Sequence, residues 1–318
     1  MKKYFLPFLS ILALLVSPGF SAAQGADKHP LEGRVWSPRT GGFLTEEALF
    51  ERMARARAVY LGEIHDNPIH HRLQARAYRA LLDRGRRHAL AFEMFSTDVQ
   101  PALSKLLRDP EADLSKVPEV TGWDRRGWPD WSMYAPLVEL AHRAGLPVLA
   151  ADLPRALAGR VSRKGLGELP PDLARELALG PPDPGKRETM LDVFFESHCR
   201  ALPREKLGNL FESWRARNRT MALTMARALR EGSEGALLIT GGGHAERETG
   251  VPSDLDALAP GVEQFALAFA EVRDGETRPE AYRARPGAYD ALWFTPAHPR
   301  EDPCVKYKKG LERMKKGH

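Results

Sequence analysis

Six short apolar segments, separated by longer stretches of helical periodicity, most limit what this chain can fold into. The segments are residues 58–61, 89–92, 147–151, 236–240, 265–270 and 291–294. Continuous apolar segments of this length are typical of strands covered on both faces, as in a parallel sheet between helices. The alternation of strands and helices further predicts right-handed crossovers. The sequence therefore predicts an α/β fold with a mainly parallel sheet.

Capping residues predict where the helices begin. Asn67 precedes Pro68, which suits the first position of a helix that runs until Gly85. Ser96 or Thr97 is the expected cap of the next helix. A third helix is expected to follow the Asp-Leu-Pro-Arg segment at 152–155.

A long helical region separates the third and fourth predicted strands. Residues 165–235 are mostly helical in pattern, with helices expected at 186–201 and 206–231 and a Pro-rich break at 180–185. We interpret the region as a helical insertion or lid before the fourth strand. Since no Ser/Gly-rich linker divides the chain, residues 24–318 are predicted to form a single domain.

The N-terminal residues have the pattern of a secretory signal peptide. Lys2 and Lys3 precede an apolar run that ends before Ser17, and small residues suit cleavage before Gln24. The run is shorter than the roughly 20 residues that a membrane span requires, although an uncleaved anchor is the alternative. The sequence predicts that residues 1–23 are removed and that the mature protein is periplasmic, with no stable membrane anchor.

Cysteine and charge add further limits. No Cys lies near the predicted cleavage site, which disfavours a lipoprotein. Cys199 and Cys304 could form a disulfide in an oxidising compartment or remain two buried thiols, and the sequence leaves both open. The formal charge of +5 falls to +3 when Lys2 and Lys3 leave with the signal peptide. So weak a charge gives no reason to expect nucleic-acid binding.

Polar residues follow four of the predicted strands, where ligands bind in open α/β sheets. Glycines at 62 and 241–243 allow the backbone to turn sharply there. The candidate residues at this edge are Glu63, His65, Glu93 and His244, together with Asp152 and Arg155. Imidazoles with carboxylates suit a Zn, Mn or Fe ion, or equally a metal-free acid/base pair. These four residues, Glu63, His65, Glu93 and His244, are thus the expected metal-binding or catalytic set.

Several of these motifs resemble one known family. The segments GEIHDNPIHHRLQ, AFEMF, WPDWSMYAPLVELA, ADLPR and GGGHAERETGVPSDL resemble the ChaN-like family of iron-regulated haem-binding proteins. The resemblance covers roughly residues 59–272. The Glu, His, Glu and His pattern also looks like that of erythromycin esterases and Tiki-type proteases, which are hydrolases on a related scaffold.

The chain departs from the ChaN pattern in two places. Family members tend to carry a lipoprotein Cys after the signal, which this sequence lacks. They also tend to have a Gln and an Asp four residues apart before a Met-Ala pair, where this chain has Trp214 and Asn218.

The resemblance implies a haem or another porphyrin as ligand. Haem is a flat apolar ring with two carboxylates, so it requires an apolar slot, an axial ligand and basic residues. Trp131 and its aromatic neighbours are expected to form the slot, and Tyr134 or His71 to hold the iron. Arg126 and Arg155 are expected to bind the propionates. No Cys-x-x-Cys-His motif occurs, so the haem would be non-covalent.

Two functions therefore remain open. The first is a periplasmic haem-binding protein for haem or iron uptake or storage, with a homodimer around the haem among its expected partners. The second is a metal-dependent or His/Glu-based hydrolase of an ester or amide. A Gly-x-Ser-x-Gly motif is absent, so a hydrolase of this sequence would not be an ordinary serine esterase. Whether the protein is an enzyme is left undecided by the sequence.

Overall fold

The computed structural model describes residues 28–282, 287–306, 308–310 and 312. The predicted signal peptide, residues 1–23, and the cleavage site before Gln24 lie outside the described residues.

The described residues form one eight-stranded sheet. In chain order the strands are β1 (Val35–Ser37), β2 (Gly42–Leu44), β3 (Ala58–Glu63), β4 (His88–Ser96), β5 (Val148–Asp152), β6 (Gly235–Gly241), β7 (Gln264–Glu271) and β8 (Ala291–Thr295). Across the sheet the order is β2-β1-β8-β7-β3-β6-β4-β5. All neighbouring pairs from β8 to β5 are parallel, which confirms the predicted α/β fold with a mainly parallel sheet.

Helices cover the sheet and connect its strands. In chain order they are α1 (Glu46–Arg55), α2 (Pro68–Asp83), α3 (Gln100–Leu107), α4 (Val117–Thr121), α5 (Ala135–Arg143), α6 (Arg155–Lys164), α7 (Pro171–Leu177), α8 (Pro184–Ser197), α9 (Gly208–Arg230), α10 (Gly242–Ala245), α11 (Val251–Leu258) and α12 (Pro303–Lys306). Within the described ranges, none combines the length and the apolar character that crossing a membrane requires.

The side chains of β3 alternate between two cores on opposite faces of the sheet. Val59 and Leu61 pack in a core with α1, α2 and α5. Ala58 and Tyr60 pack in a second core with α9 and α11. Because neighbouring strand residues point to opposite faces, one wholly apolar strand supports a helix layer on each side.

The six predicted strands overlap β3 to β8, and the predicted cap of α2 is observed. The side chain of Asn67 accepts a hydrogen bond from the Ile69 amide, and Pro68 is the first residue of the helix. The structure differs from the sequence analysis in two respects. Ser96 does not cap α3, since a 3-10 turn at Thr97–Val99 comes first. The sequence also missed β1 and β2, because three-residue strands are too short to show a period.

The predicted helical insertion at 165–235 contains α7, α8 and α9. Met190 and Phe194 of α8 pack against Phe211 of α9 in a small core of their own. This core is separate from the two that flank the sheet. The insertion therefore attaches to the domain mainly through α9, which packs on the sheet.

The structure pairs the two cysteines that the sequence left open. A disulfide joins Cys199, just after α8, to Cys304 in α12, over a separation of 105 residues. The C-terminal segment also forms ion pairs through Arg300, whose guanidinium contacts Asp66 and Glu271. The end of the chain is thus fastened both to the loop after β3 and to the helical insertion.

We expect Cys304→Ala to lower the free energy of unfolding by about 2–4 kcal/mol, because a cross-link across so many residues restricts the unfolded chain. Chemical denaturation of the oxidised wild type and the variant measures the difference. Wild-type protein treated with a reductant serves as the control and should approach the variant. Equal stability of all three samples would contradict the expectation.

Candidate functional site

The carboxyl ends of four adjacent strands place the candidate residues at one edge of the sheet. Glu63 is the last residue of β3, and Gly241 beside it is the last residue of β6. The next strand, β4, holds Glu93, and β5 ends at Asp152. This is where a parallel sheet binds ligands, because connecting loops diverge there.

The first carboxylate, Glu63, is fully enclosed by hydrogen-bond donors. The atoms around it are the Gln74 amide at 2.6 Å, the Tyr134 hydroxyl at 2.6 Å, His65 Nδ1 at 2.8 Å and His71 Nδ1 at 3.2 Å. These five residues are called the Glu63 network below. They come from β3, the loop after it, α2 and the residue before α5, so the network joins one helix layer to the sheet edge.

Hydrogen bonding fixes the protonation of His71. The amide nitrogen of Gln74 donates to the Leu61 carbonyl and to Glu63, so the amide oxygen of Gln74 faces His71 Nδ1 at 3.1 Å. The other ring nitrogen lies 2.8 Å from the His65 carbonyl oxygen, which only accepts. Both nitrogens of His71 must therefore donate, and the ring is an imidazolium paired with Glu63.

The pKa shifts agree with this arrangement. Burial alone would raise the pKa of Glu63, but hydrogen bonds from His65 and His71 lower it to about 2. Burial alone would lower the pKa of His71 and of His65, but the bond of each ring to Glu63 raises it above 6.5. The network is thus a buried carboxylate held ionised by two imidazoles.

The second carboxylate, Glu93, has its own set of partners, called the Glu93 network below. Its Oε2 accepts hydrogen bonds from the Thr240 hydroxyl at 2.6 Å and the Gly241 amide at 2.7 Å. Its Oε1 lies 2.7 Å from the guanidinium of Arg217 and 3.6 Å from His244 Nε2. Burial alone would raise the pKa of Glu93, but the charge of Arg217 and the hydrogen bond from Thr240 hold it well below 4.5.

Arg217 of α9 is the site residue that sequence reasoning missed. Its guanidinium contacts both carboxylate oxygens of Asp152, with distances of 2.7–3.0 Å, as well as Glu93. Burial disfavours its charge, but Asp152 and Glu93 raise its pKa further above its usual range. In the sequence it stands between Arg215 and Arg219, so nothing marked it as the inward-facing arginine.

His244 is held in one neutral form. The Asn218 amide donates to the Thr249 carbonyl, so its oxygen faces His244 Nδ1 at 2.5 Å and Nδ1 carries the proton. The ring stacks on Trp214 with centroids 3.8 Å apart. Burial lowers the pKa of His244 to about 3. Trp214 and Asn218, the residues at which this chain departs from the ChaN pattern, are thus the two that hold this imidazole.

Close packing of the backbone brings the two networks together. A Cβ on Gly241 would lie 3.1 Å from His65 Nε2 and 3.7 Å from Glu93 Oε2. A Cβ on Gly62 would come within 2.9 Å of the Ala245 Cβ. A side chain at Gly62 would therefore push against the backbone of Gly242, and one at Gly241 would displace the His65 ring. The four residues expected to share a site, Glu63, His65, Glu93 and His244, therefore meet at one edge.

No group of three or more His, Cys, Asp and Glu side chains in the described part of the chain is arranged to hold a metal ion. The oxygens of Glu63 and Glu93 are engaged by protein donors. Metal binding by Glu63, His65, Glu93 and His244 stays a prediction.

The structure buries two of the residues that the sequence analysis proposes to hold haem, Tyr134 and His71. Tyr134 is fully buried and donates its hydroxyl to Glu63, and His71 is buried with both ring nitrogens engaged. Trp131 packs on Trp123 and Phe95 at the edge of the main core. Tyr134 and His71 present no free atom to a ligand, because the Glu63 network encloses them, whereas Trp131 is partly exposed and its place in a haem slot stays a prediction.

Two clefts flank α9 at this edge. The arginine cleft has a volume of about 1210 Å³ and is lined by Arg125, Arg126, Arg155, Arg160, Arg163 and Arg217. The apolar cleft has a volume of about 710 Å³. Its apolar lining comes from Met190, Val193, Phe194, Leu210 and Trp214, and its polar lining includes Glu188, Asp192, Glu246, His198 and Tyr289. Both are of the size of ligand sites, and Arg217 lies on the wall between them. The predicted propionate ligands, Arg126 and Arg155, both line the arginine cleft.

Fold and site together define an α/β protein with a ligand-binding edge beyond its parallel strands, bounded by an arginine cleft and an apolar cleft. Residues 49–255 match the family model described as "Haem-binding uptake, Tiki superfamily, ChaN". Because the match spans more than half of the chain, the protein belongs to the ChaN family.

A solved structure of the ChaN family shows the same fold, and two other solved structures have lower similarity. ChaN of Campylobacter jejuni, described with cofacial haem binding, has a TM-score of 0.65 at 18% identity, over 81% of this chain and 95% of that chain. A mutant of the erythromycin esterase EreC in its open conformation has a TM-score of 0.44 at 15% identity, over 86% of each chain. The type III effector HopBA1 has a TM-score of 0.42 at 15% identity, over 79% of this chain and 93% of that chain. Curated protein sequences yield no match.

We expect Glu63→Gln to remove an acid-sensitive contribution to stability. The pKa of Glu63 falls from 4.5 to about 2 on folding, so its carboxylate stabilises the fold above pH 4.5, by on the order of 3 kcal/mol, and loses this effect as the pH falls toward 2. Urea denaturation near neutral pH and near pH 3 should show the gap between wild type and variant shrinking.

Glu139→Gln, on the exposed side of α5, is the matched control and should change stability little at either pH. A gap for Glu63→Gln that stays constant across the acid range would show that its carboxylate is not held ionised by folding.

Proposed function

We propose that this protein binds haem non-covalently in the periplasm and serves haem or iron uptake or storage. Membership of the ChaN family supports haem as the ligand. The observation in this structure that carries the proposal is the apolar cleft. Met190, Phe194, Leu210 and Trp214 give it the apolar lining that a flat porphyrin ring requires.

The neighbouring arginine cleft supplies the charge that haem carboxylates need. Arg125, Arg155 and Arg163 line it and have no carboxylate partner among the described residues. Guanidinium groups bind carboxylates in bidentate fashion, which suits propionates. The apolar cleft on one side of α9 thus supplies apolar contacts for haem, and the arginine cleft on the other side supplies cations without carboxylate partners.

The disulfide supports the periplasmic location. Cys199 and Cys304 are bonded, and such bonds persist in oxidising compartments such as the bacterial periplasm. A homodimer around the haem is also part of the proposal. Val193 on the rim of the apolar cleft is 45% exposed, so a second copy would cover apolar surface there.

We expect purified protein to shift the Soret band of hemin at a defined stoichiometry, with the mass by light scattering reporting any haem-dependent dimer. Arg155→Gln combined with Arg163→Gln should weaken binding by at least about tenfold, since a hydrogen bond to a charged group contributes about 1.5–3 kcal/mol. Arg143→Gln, on the exposed end of α5, is the control. A spectrum identical to free hemin would refute the proposal.

A His/Glu-based hydrolase of an ester or amide is the second candidate, and the His65 ring favours it. Its Nδ1 is hydrogen-bonded to Glu63, while the side chain is 35% exposed and its Nε2 lies over Gly241. A carboxylate that orients an imidazole with its other nitrogen free is the arrangement of a general base.

If this protein is such a hydrolase, His65→Ala should abolish turnover of activated esters. Wild-type turnover should also rise as the pH increases through the raised pKa of His65, because only the neutral ring accepts a proton. Parallel assays with a chelator separate metal-dependent from metal-free chemistry. His142→Ala, distant on α5, is the control. Equal turnover by wild type and His65→Ala would dismiss hydrolysis at this site.

A further inference from the structure

The apolar cleft contains an imidazole that no part of the site uses. His198 follows α8 directly and lines this cleft together with Phe194 and Trp214. Of the other histidines near the sheet edge, His71 and His244 are buried, and His65 is hydrogen-bonded through Nδ1 to Glu63 and lines neither cleft. His198 is the one imidazole lining either cleft among the described residues.

Hydrogen bonding fixes which nitrogen of the His198 ring carries the proton. Its Nδ1 lies 2.9 Å from the Phe194 carbonyl oxygen, which only accepts, so Nδ1 carries the proton. The lone pair then lies on Nε2, which has no hydrogen-bond partner among the described residues. A histidine that binds a metal characteristically donates its other ring N–H to a backbone carbonyl in this way.

The position of His198 is fixed by its neighbours in the chain. The next residue, Cys199, is bonded to Cys304, and the ring makes an edge-to-face contact with Phe194, with centroids 6.3 Å apart. Because the disulfide holds the neighbouring residue and Phe194 packs on the ring, the His198 side chain loses little conformational entropy when it binds a metal.

From this geometry we infer that His198 Nε2 is the axial ligand of the haem iron in the apolar cleft. The inference rests on the proposed function, since it needs haem as the ligand. Histidine is a common axial ligand of haem iron, and the apolar lining of the cleft suits the porphyrin around it. The competing oxygen donors in the cleft are Tyr289, whose hydroxyl donates to the Gly242 carbonyl at 3.0 Å, and three carboxylates. Two of these, Glu188 and Asp192, are paired with Arg204, and the third is Glu246.

The test is a hemin titration of wild type, His198→Ala, Tyr289→Phe and the control His142→Ala. Removing the ligand should weaken binding by at least about tenfold, the lower limit for losing even an outer partner of a metal ligand. His198→Ala should also lose the imidazole-type Soret spectrum and regain it when free imidazole is added. Rescue by imidazole distinguishes iron ligation from a packing role.

The outcomes separate the inference from the proposed function. If wild type leaves the hemin spectrum unchanged, haem binding itself fails. If wild type binds hemin and His198→Ala binds equally well with the same spectrum, only the assignment of His198 is overturned. The assignment is also overturned if Tyr289→Phe is the one variant that changes the spectrum. Should His198→Ala fail to fold, electron paramagnetic resonance of wild type with ¹⁵N-labelled histidine decides, since absence of coupling to an imidazole nitrogen overturns the inference.

Discussion

Two buried carboxylates at the edge of the sheet organise the rest of this structure. An ionised carboxylate without partners inside a protein is very costly, so each must be surrounded by donors. Glu63 is satisfied from α2 and from Tyr134 before α5, whereas Glu93 is satisfied from β6 and from Arg217 of α9. The helix layers on the two faces of the sheet are therefore tied to the same edge by charge as well as by apolar packing.

The two networks differ in how their histidines are charged. His71 is cationic because the groups facing its nitrogens are acceptors, and it neutralises Glu63. His244 remains neutral because burial and the nearby charge of Arg217 lower its pKa, and Arg217 already compensates Glu93. The Asn218 oxygen places the proton of the neutral ring on Nδ1.

The sequence predicted the strand-end residues well but not the residues that approach them from helices. Glu63, Glu93 and His244 follow apolar strands, and the carboxyl ends of parallel strands meet by topology alone. Arg217 and Tyr134 reach the edge through the packing of their helices, which no local pattern reveals. The expectation for Tyr134 came from its chemistry, whereas its role is set by burial. The pairing of Cys199 with Cys304 likewise depends on a distance that sequence does not contain.

The hydrogen bonding of the two carboxylates also explains why their oxygens are poor ligands for a cofactor. Iron needs a donor atom with a free lone pair, and the oxygens of Glu63 and Glu93 are already engaged by protein donors. Taking one of them would leave a buried donor unpaired, which costs about 1–3 kcal/mol. The helical insertion is under no such constraint, because its core around Phe194 is separate from the cores that flank the sheet. His198, which directly follows α8, can therefore bind a cofactor without disturbing the charges that hold the sheet edge together.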